Sequence, residues 1–166
     1  MPRFSRDELT QAFAAFEATV ADAARTRDWD TWVGHYTPDV DYIEHAMGTM
    51  KGRDEVRAWI TRTMGTFPGS YMTEFPSLWS VIDEDTGRVI CELDNPMRDP
   101  GDGTIISATN ISIVTYAGNG LWSRQEDIYN PLRFVQAGFK WCKKARELGT
   151  LDDEAAAWLQ QFEGQK

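Results

Sequence analysis

The sequence predicts one α+β domain, in which helices and an antiparallel sheet occupy separate parts of the chain. Helical periodicity dominates residues 6–67, four long β-type runs fill residues 71–129, and helical periodicity returns after residue 135. The 166 residues suffice for one hydrophobic core, and no Pro/Gly/Ser-rich linker divides them. We expect the sheet to bend around the first helix and to leave a conical cavity open at one end.

The first two elements are helices. A capping-box pattern begins at Ser5, and apolar residues then recur at helical spacing, which predicts a long helix over residues 6–26. A short second helix is expected after Asp28 or Asp30, and this helix would include Tyr36.

The next segments alternate between helix and strand. Residues 37–39 contain a proline and are expected to end the second helix. Residues 40–45 alternate in the manner of a strand, residues 48–52 are expected to form a loop, and residues 53–67 have the apolar spacing of a third helix.

Turn signals divide the second half of the chain into four strands and two helices. The Asn119-Gly120 pair between two β-type runs indicates a tight hairpin. Gly149 is expected to end a helix, and the residues after it are expected to cap another. The predicted strands span 71–82, 88–98, 104–116 and 121–129, and the helices span 135–148 and the residues that follow Thr150.

Composition excludes several classes of function. The formal net charge of −9 disfavours nucleic acid and anionic membrane surfaces as partners. Two cysteines without a secretory leader do not suggest a disulfide framework, and no apolar stretch is long enough to span a membrane. We therefore expect a cytoplasmic protein. Because the sequence has no phosphate-binding loop and only two histidines, we expect no cofactor, nucleotide or metal.

Several short motifs resemble SnoaL-like proteins of the NTF2-like superfamily. The motifs are DWDTW at 28–32, YTPDV at 36–40, EHAMG at 44–48, KGRDEV at 51–56, NGLW at 119–122 and EDIY at 126–129. The resemblance implies a cone-shaped domain over residues 1–134, to which residues 135–166 add a helical extension. It also implies a hydrophobic small-molecule ligand and a homodimer.

Two enzyme types in this superfamily suggest site residues. By resemblance to ketosteroid isomerases, His45 occupies the position of the aspartate general base, while Phe13 or Phe16 replaces a pocket tyrosine. By resemblance to limonene-epoxide hydrolases, Asp127 matches the aspartate of the last strand. Leu93 and Asn95 then stand where an aspartate–arginine pair would complete the triad, so neither pattern is reproduced in full.

Three residues are candidates for catalysis. Strand alternation places His45 on the face of Ile43, which we expect to be the pocket side, and imidazole exchanges protons near neutral pH. Asp127 shares a strand face with Gln125 and is expected to be partly desolvated and to pair with His45. Asn95 interrupts an apolar row and is expected to orient a substrate or a water. The structural alternatives for these residues are backbone hydrogen bonding, loop capping and a β-bulge at Pro96.

Further residues are candidates for substrate binding, because they are aromatic or interrupt an apolar strand face. These are Trp32, Tyr36, Trp79, Asn110, Ser112 and Tyr129. Together the candidates predict an enzyme that needs no cofactor and uses general acid/base chemistry on a hydrophobic substrate. The reaction would be an isomerisation, cyclisation, hydration, dehydration or epoxide hydrolysis. The alternative is a binding domain or dimeric scaffold without turnover.

Overall fold

The helical N-terminal part of the chain follows the sequence prediction closely. The computed structural model describes residues 3–163. Helix α1 spans Arg6–Thr26, and the Ser5 side chain accepts a hydrogen bond from the backbone N–H of Glu8 at 3.1 Å. Helix α2 spans Asp30–Gly34. Apolar residues of both helices lie in the main hydrophobic core, as their spacing predicts.

The first strand begins earlier than the sequence indicates. Strand β1 spans Tyr36–Glu44, so the expectation that Tyr36 belongs to the second helix, with residues 37–39 as its end, is wrong. Proline cannot donate to a sheet, and the pairing of β1 is irregular between Tyr36 and Asp41, where Pro38 lies. This irregularity allows Pro38 to remain within the strand.

Residues 48–51 form a strand and residue 52 begins a helix, where we expected a loop over 48–52. Strand β2 spans Gly48–Lys51 and pairs with β1 in the antiparallel direction, after a short turn. Helix α3 follows directly over Gly52–Met64 and covers one end of the sheet. It ends three residues before the predicted boundary at 67.

The meander of four strands is confirmed, with shorter limits. Strand β3 spans Ser77–Asp83, β4 spans Arg88–Pro96, β5 spans Ser107–Gly118 and β6 spans Leu121–Ile128. The predicted first run started at residue 71, but a 3₁₀ turn occupies Gly69–Tyr71.

One curled sheet contains all six strands. The strand order is β2-β1-β6-β5-β4-β3, and β1 and β6 run parallel while the other neighbours are antiparallel. The parallel pair matters for function because it places the ends of β1 and β6 side by side. The hairpin at Asn119-Gly120 is confirmed, since both residues have the positive φ that such a turn needs.

The C-terminal helices pack on a second hydrophobic cluster. Helix α4 spans Pro131–Leu148 and helix α5 spans Asp153–Glu163. The Arg98 guanidinium lies 3.7 Å from the centre of the Tyr71 ring and forms an ion pair with Asp152 at 2.5 Å. The Tyr71 hydroxyl also donates to Asp152, so α5 is joined to the residues before β3. The boundary between a domain at 1–134 and an extension at 135–166 stays a prediction.

Both cysteines are free, in agreement with the absence of a predicted disulfide framework, and both are buried. None of the helices within residues 3–163 combines the length and hydropathy that crossing a bilayer requires.

Candidate functional site

A cavity of about 400 Å³ lies between the three N-terminal helices and the concave face of the sheet. Most of its wall is aromatic or aliphatic, and α4 contributes one ring at its edge. A volume of this size accommodates a drug-sized organic molecule. The aromatic wall includes Phe13, Phe16, Trp29, Trp32, Trp59 and Phe134.

Polar side chains on the sheet form one continuous wall of this cavity. Strand alternation turns Gln125 and Asp127 toward the concave face, as the sequence predicts. Sheet register then brings Ser112 opposite Asp127, and Asn95 lies near Asn110 on the neighbouring strand pair. These residues are at least nine-tenths buried, so their polar groups depend on one another for hydrogen bonds.

Asp127 is the centre of this polar wall. Its Oδ1 accepts hydrogen bonds from Ser112 Oγ at 2.5 Å and from Gln125 Nε2 at 3.0 Å. Its Oδ2 accepts a hydrogen bond from the Tyr42 hydroxyl. Three donors around one carboxyl group hold it in a single orientation and stabilise its charged form.

The wall continues from Ser112 along strands β5 and β4. Asn110 Nδ2 donates to Ser112 Oγ at 3.0 Å, and Asn95 Nδ2 donates to Asn110 Oδ1 at 2.9 Å. Asn95 Nδ2 also donates to the backbone oxygen of Ala108 at 3.0 Å. Asn95 therefore forms a hydrogen bond to the backbone, which was the structural alternative to a role in catalysis. It also belongs to the hydrogen-bond network of the cavity's polar side chains.

Burial raises the pKa of Asp127 above its usual range. The hydrogen bonds from Ser112, Tyr42 and Gln125 oppose this shift, and the nearby negative charge of Glu44 adds to it. The pKa of Tyr42 is also raised, first by burial and then by the Asp127 charge. Asp127 is therefore a carboxyl group that holds a proton more readily than an exposed aspartate does.

Glu44 is a second buried carboxyl group beside Asp127. The two residues are direct partners in the parallel pairing of β1 and β6, where strands lie about 4.8 Å apart. Glu44 Oε2 accepts hydrogen bonds from the backbone N–H groups of Ala46 at 2.9 Å and Met47 at 2.5 Å. Burial, and then the nearby Glu44 carboxylate, raise the pKa of the Tyr129 hydroxyl. Glu44 lines the cavity and is 3 % exposed.

His45 does not reach this site, so its predicted position and its predicted pairing with Asp127 are wrong. Its Nε2 lies 2.9 Å from Glu126 Oε1, and the side chain is 42 % exposed. Within β1 the cavity face carries Val40, Tyr42 and Glu44, which is the opposite face from the one that we expected. Because successive side chains of a strand alternate between its two faces, Ile43 and His45 lie on the outer face of the sheet.

Two of the predicted binding residues also lie away from the cavity wall. Trp79 lies on edge strand β3 with 45 % exposure, and its Nε1 donates to Glu92 at 2.6 Å. Tyr36 is fully buried in the core, where its hydroxyl donates to Gln125 Oε1 at 2.5 Å. Tyr36 therefore supports the polar wall without lining the cavity.

The other candidates are placed together at the cavity, where their roles in catalysis or binding stay predictions. They are Trp32, Asn95, Asn110, Ser112, Asp127 and Tyr129. Sequence reasoning missed Glu44 and Tyr42 as site residues. One signal in the sequence could have found them. Val40 and Tyr42 are hydrophobic residues at alternating positions, which indicates that their face of β1 is buried, and Glu44 is the next residue on that face.

The described side chains provide neither a metal-binding group nor a complete epoxide-hydrolase triad at the positions that the resemblance indicates. Within residues 3–163 no group of three His, Cys, Asp or Glu side chains is arranged to hold a metal ion. Leu93 and Asn95 both line the cavity, and neither carries a charge. The cavity therefore lacks the arginine–aspartate pair of an epoxide-hydrolase triad at these two positions.

Comparisons with known proteins agree with this architecture. A family model for SnoaL-like domains matches residues 9–125. No curated protein matches the chain in sequence.

Solved structures with a similar fold include proteins from the following three bacteria. An LEH-like epoxide hydrolase of Mycobacterium tuberculosis is 13 % identical, with a TM-score of 0.62 over 88 % of this chain and 95 % of that one. A candidate polyketide cyclase of Xanthomonas campestris is 17 % identical, with a TM-score of 0.57 over 80 % and 98 %. An NTF2-like protein of Anabaena variabilis is 12 % identical, with a TM-score of 0.58 over 78 % and 95 %. At these identities the likeness shows the fold alone.

Proposed function

Because the chain belongs to the family of SnoaL-like domains, we propose that it is a small-molecule enzyme that works by general acid/base chemistry without a cofactor. Its substrate would be a hydrophobic molecule that fits the 400 Å³ cavity. The reaction class is isomerisation, cyclisation, hydration, dehydration or epoxide hydrolysis. The likeness to an epoxide hydrolase and a candidate cyclase is compatible with this class.

One observation carries the proposal, namely the buried carboxyl group of Asp127 at the wall of a mostly apolar cavity. A general acid/base works best when its pKa lies near the working pH. Burial moves the pKa of Asp127 upward, toward that range. A structural carboxylate with the sole task of capping a loop would not need this position, and Asp127 caps none.

Asp127 would take a proton from a substrate C–H or O–H group and return it to another atom of the same substrate. Its two oxygens are held by Ser112 and Tyr42, so the carboxyl group is oriented before the substrate binds. Gln125 would hold the Tyr42 hydroxyl and the Asp127 carboxyl group in fixed positions relative to each other, since its Nε2 donates to both. His45 has no part in this mechanism because it lies on the other face of the sheet.

The test compares the wild-type protein with the Asp127→Asn variant on a panel of hydrophobic enones, epoxides and dehydratable alcohols. We expect turnover of at least one compound, and a loss of about 100-fold or more in kcat for the variant, since a positioned acid/base contributes about 10²–10⁴-fold. Glu126→Gln is the matched control, because it removes a carboxylate from the residue that precedes Asp127 in β6, whose side chain lies on the outer face of the sheet. Full turnover by a folded Asp127→Asn variant would overturn the proposal.

A binding domain without turnover is the second candidate, and one observation favours it. The hydrogen bonds that Asp127 accepts from Ser112, Tyr42 and Gln125 lower its pKa, which weakens the carboxylate as a base toward a substrate. In this alternative the same cavity holds its ligand unchanged, and two copies of the chain form a dimer. Binding without turnover for every compound of the panel, together with a dimer in light scattering, would favour this alternative.

A further inference from the structure

Most donor groups on the polar wall of the cavity are already used within the wall, whereas its carboxylate oxygens can accept further hydrogen bonds. Ser112 Oγ donates to Asp127, Asn110 Nδ2 donates to Ser112, and Gln125 Nε2 donates to Asp127 and Tyr42. The Tyr42 hydroxyl likewise donates to Asp127. A ligand that meets this wall therefore gains most by bringing donors of its own.

The remaining polar groups of the cavity do not change this conclusion. Asn95 Nδ2 lies within hydrogen-bond distance of three oxygens, and burial as the main cause, followed by the charge of the nearby Glu44 carboxylate, raises the pKa of the Tyr129 hydroxyl. Four other residues of the cavity have an unbonded polar side-chain atom, but neighbouring atoms cover each of these atoms: Trp32, Trp59, Thr63 and Ser77.

The charges of the cavity have one predominant sign. Three carboxyl side chains line it, those of Glu17, Glu44 and Asp127. Glu44 and Asp127 are 3 % and 9 % exposed, and within residues 3–163 neither forms an ion pair. Arg62 is the basic residue among those that line the cavity, and it is exposed. Buried carboxylates are costly unless a positive charge or several donors compensate them.

The opposite wall suits a cation as well. Indole rings have an electron-rich face that attracts ammonium groups, and the attraction increases when the site is desolvated. Trp29, Trp32 and Trp59 all line the cavity, and all three are at least nine-tenths buried. A molecule that has an apolar body and an ammonium group would satisfy both the aromatic wall and the carboxyl pair.

We propose that the ligand of this cavity is a hydrophobic amine, which places its ammonium group beside Glu44 and Asp127 and its apolar body against the indole rings. The inference rests on the proposed function in that it takes the same cavity as the substrate site. It goes further by naming the substrate class. Anionic ligands, such as carboxylates and phosphate esters, are excluded from the class because they would face two buried carboxyl groups that no basic side chain within residues 3–163 pairs with.

The experiment measures binding of three matched probes to the full-length protein by isothermal titration calorimetry at pH 7.5. The probes are 1-naphthylmethylamine, 1-naphthylmethanol and 1-naphthoic acid, which share one ring system and differ in charge. We expect the amine to bind at least tenfold more tightly than the alcohol, and the acid to bind most weakly. Because the comparison uses the wild-type protein, its result does not depend on whether a variant folds.

Variants then locate the source of the preference. Glu44→Gln and Asp127→Asn are each expected to reduce the ratio of amine to alcohol affinity at least fivefold. Glu126→Gln removes the same charge from the outer face of β6 and is expected to leave that ratio unchanged. A ratio that falls equally in all three variants would overturn the inference, because it would report net charge rather than this site.

The outcomes separate this inference from the proposed function. Equal binding of amine and alcohol, or tighter binding of the acid, overturns the amine class and leaves the acid/base role of Asp127 to the kinetic test. Failure of all three probes to bind also overturns the amine class. Loss of turnover in the Asp127→Asn variant would still support the proposed function in either case.

Discussion

Glu44 and Asp127 are direct register partners on the parallel strands β1 and β6, and both carboxyl groups are buried beside the cavity. The two groups repel each other, and the Glu44 charge is one of the causes of the raised pKa of Asp127. A parallel neighbour is what brings them together, since residues of an antiparallel meander alone would not place the end of β1 against the end of β6.

The first prediction concerns stability as a function of pH. In the folded state the pKa of Asp127 is above its ordinary value of 3.8, so the folded protein binds this proton more tightly than the unfolded chain does. The contribution of Asp127 to the free energy of unfolding should therefore fall as the pH rises from about 3.8 through the raised pKa. Relative to the Asp127→Asn variant, the wild-type protein should be most stable at low pH.

Urea denaturation of both proteins between pH 4 and pH 8 measures this difference. Titrating groups away from this site contribute equally to both proteins, so the difference reports Asp127 and its electrostatic interactions with its neighbours. A difference in stability that stays constant with pH, or increases with pH, would mean that the carboxyl group is not desolvated in solution.

The second prediction concerns the donor to Asp127 Oδ2. The Tyr42→Phe variant loses a hydrogen bond to the charged form of Asp127, so the pKa of Asp127 should rise further. It also leaves buried polar groups without a partner, which should cost about 1–3 kcal/mol of stability. Carbon-13 NMR of the aspartate carboxyl groups during a pH titration measures the shift.

Tyr36→Phe is the matched control for this variant. It removes the same hydroxyl group from a buried tyrosine on the same strand, but that hydroxyl donates to Gln125 instead of Asp127. We expect the pKa of Asp127 to move less in this control. Equal shifts in both variants would show that Tyr42 acts through general packing and has no specific hydrogen bond to the carboxyl group.

The third prediction concerns His45, which the sequence indicated as a catalytic base. His45→Ala should change kcat and KM by less than twofold, because its imidazole contacts Glu126 on the outer face of the sheet. The loss of this one partly exposed contact with Glu126 should alter stability by less than about 1 kcal/mol. Steady-state kinetics beside the Asp127→Asn variant checks this result, and a tenfold loss of kcat would return His45 to the mechanism.

The fold could be predicted from the sequence because most elements carry strong local signals. The Ser5 cap, the apolar spacing of α1 and the Asn119-Gly120 turn each identified an element of the structure. Strand β2 was missed because four residues with two polar positions show no periodicity. The early start of β1 was missed because Pro38 is usually read as the end of an element, and a local irregularity keeps it within the strand.

Only part of the site could be predicted, for a geometric reason. Gln125 and Asp127 were placed correctly, since alternation along β6 fixes which side chains share a face. Which face of β1 is buried depends on the pairing of β1 with β6, a contact between residues more than 80 positions apart. The opposite choice of face exchanged His45 for Glu44, and this one exchange replaced an imidazole–carboxylate pair with two carboxyl groups.

The last prediction concerns the ring that α4 contributes to the cavity. Phe134 lines the cavity, and its ring centre lies 4.8 Å from that of Tyr129. Phe134→Ala should weaken ligand binding about three- to tenfold, which corresponds to about 1 kcal/mol. The value of kcat should stay nearly constant, because contacts equal in the ground and transition states affect KM alone. Leu132→Ala is the matched control, since Leu132 lies in the first turn of the same helix and is 65 % exposed. An equal effect of both variants would show that α4 acts through its stability, and an unchanged affinity in the Phe134→Ala variant would remove α4 from the ligand site.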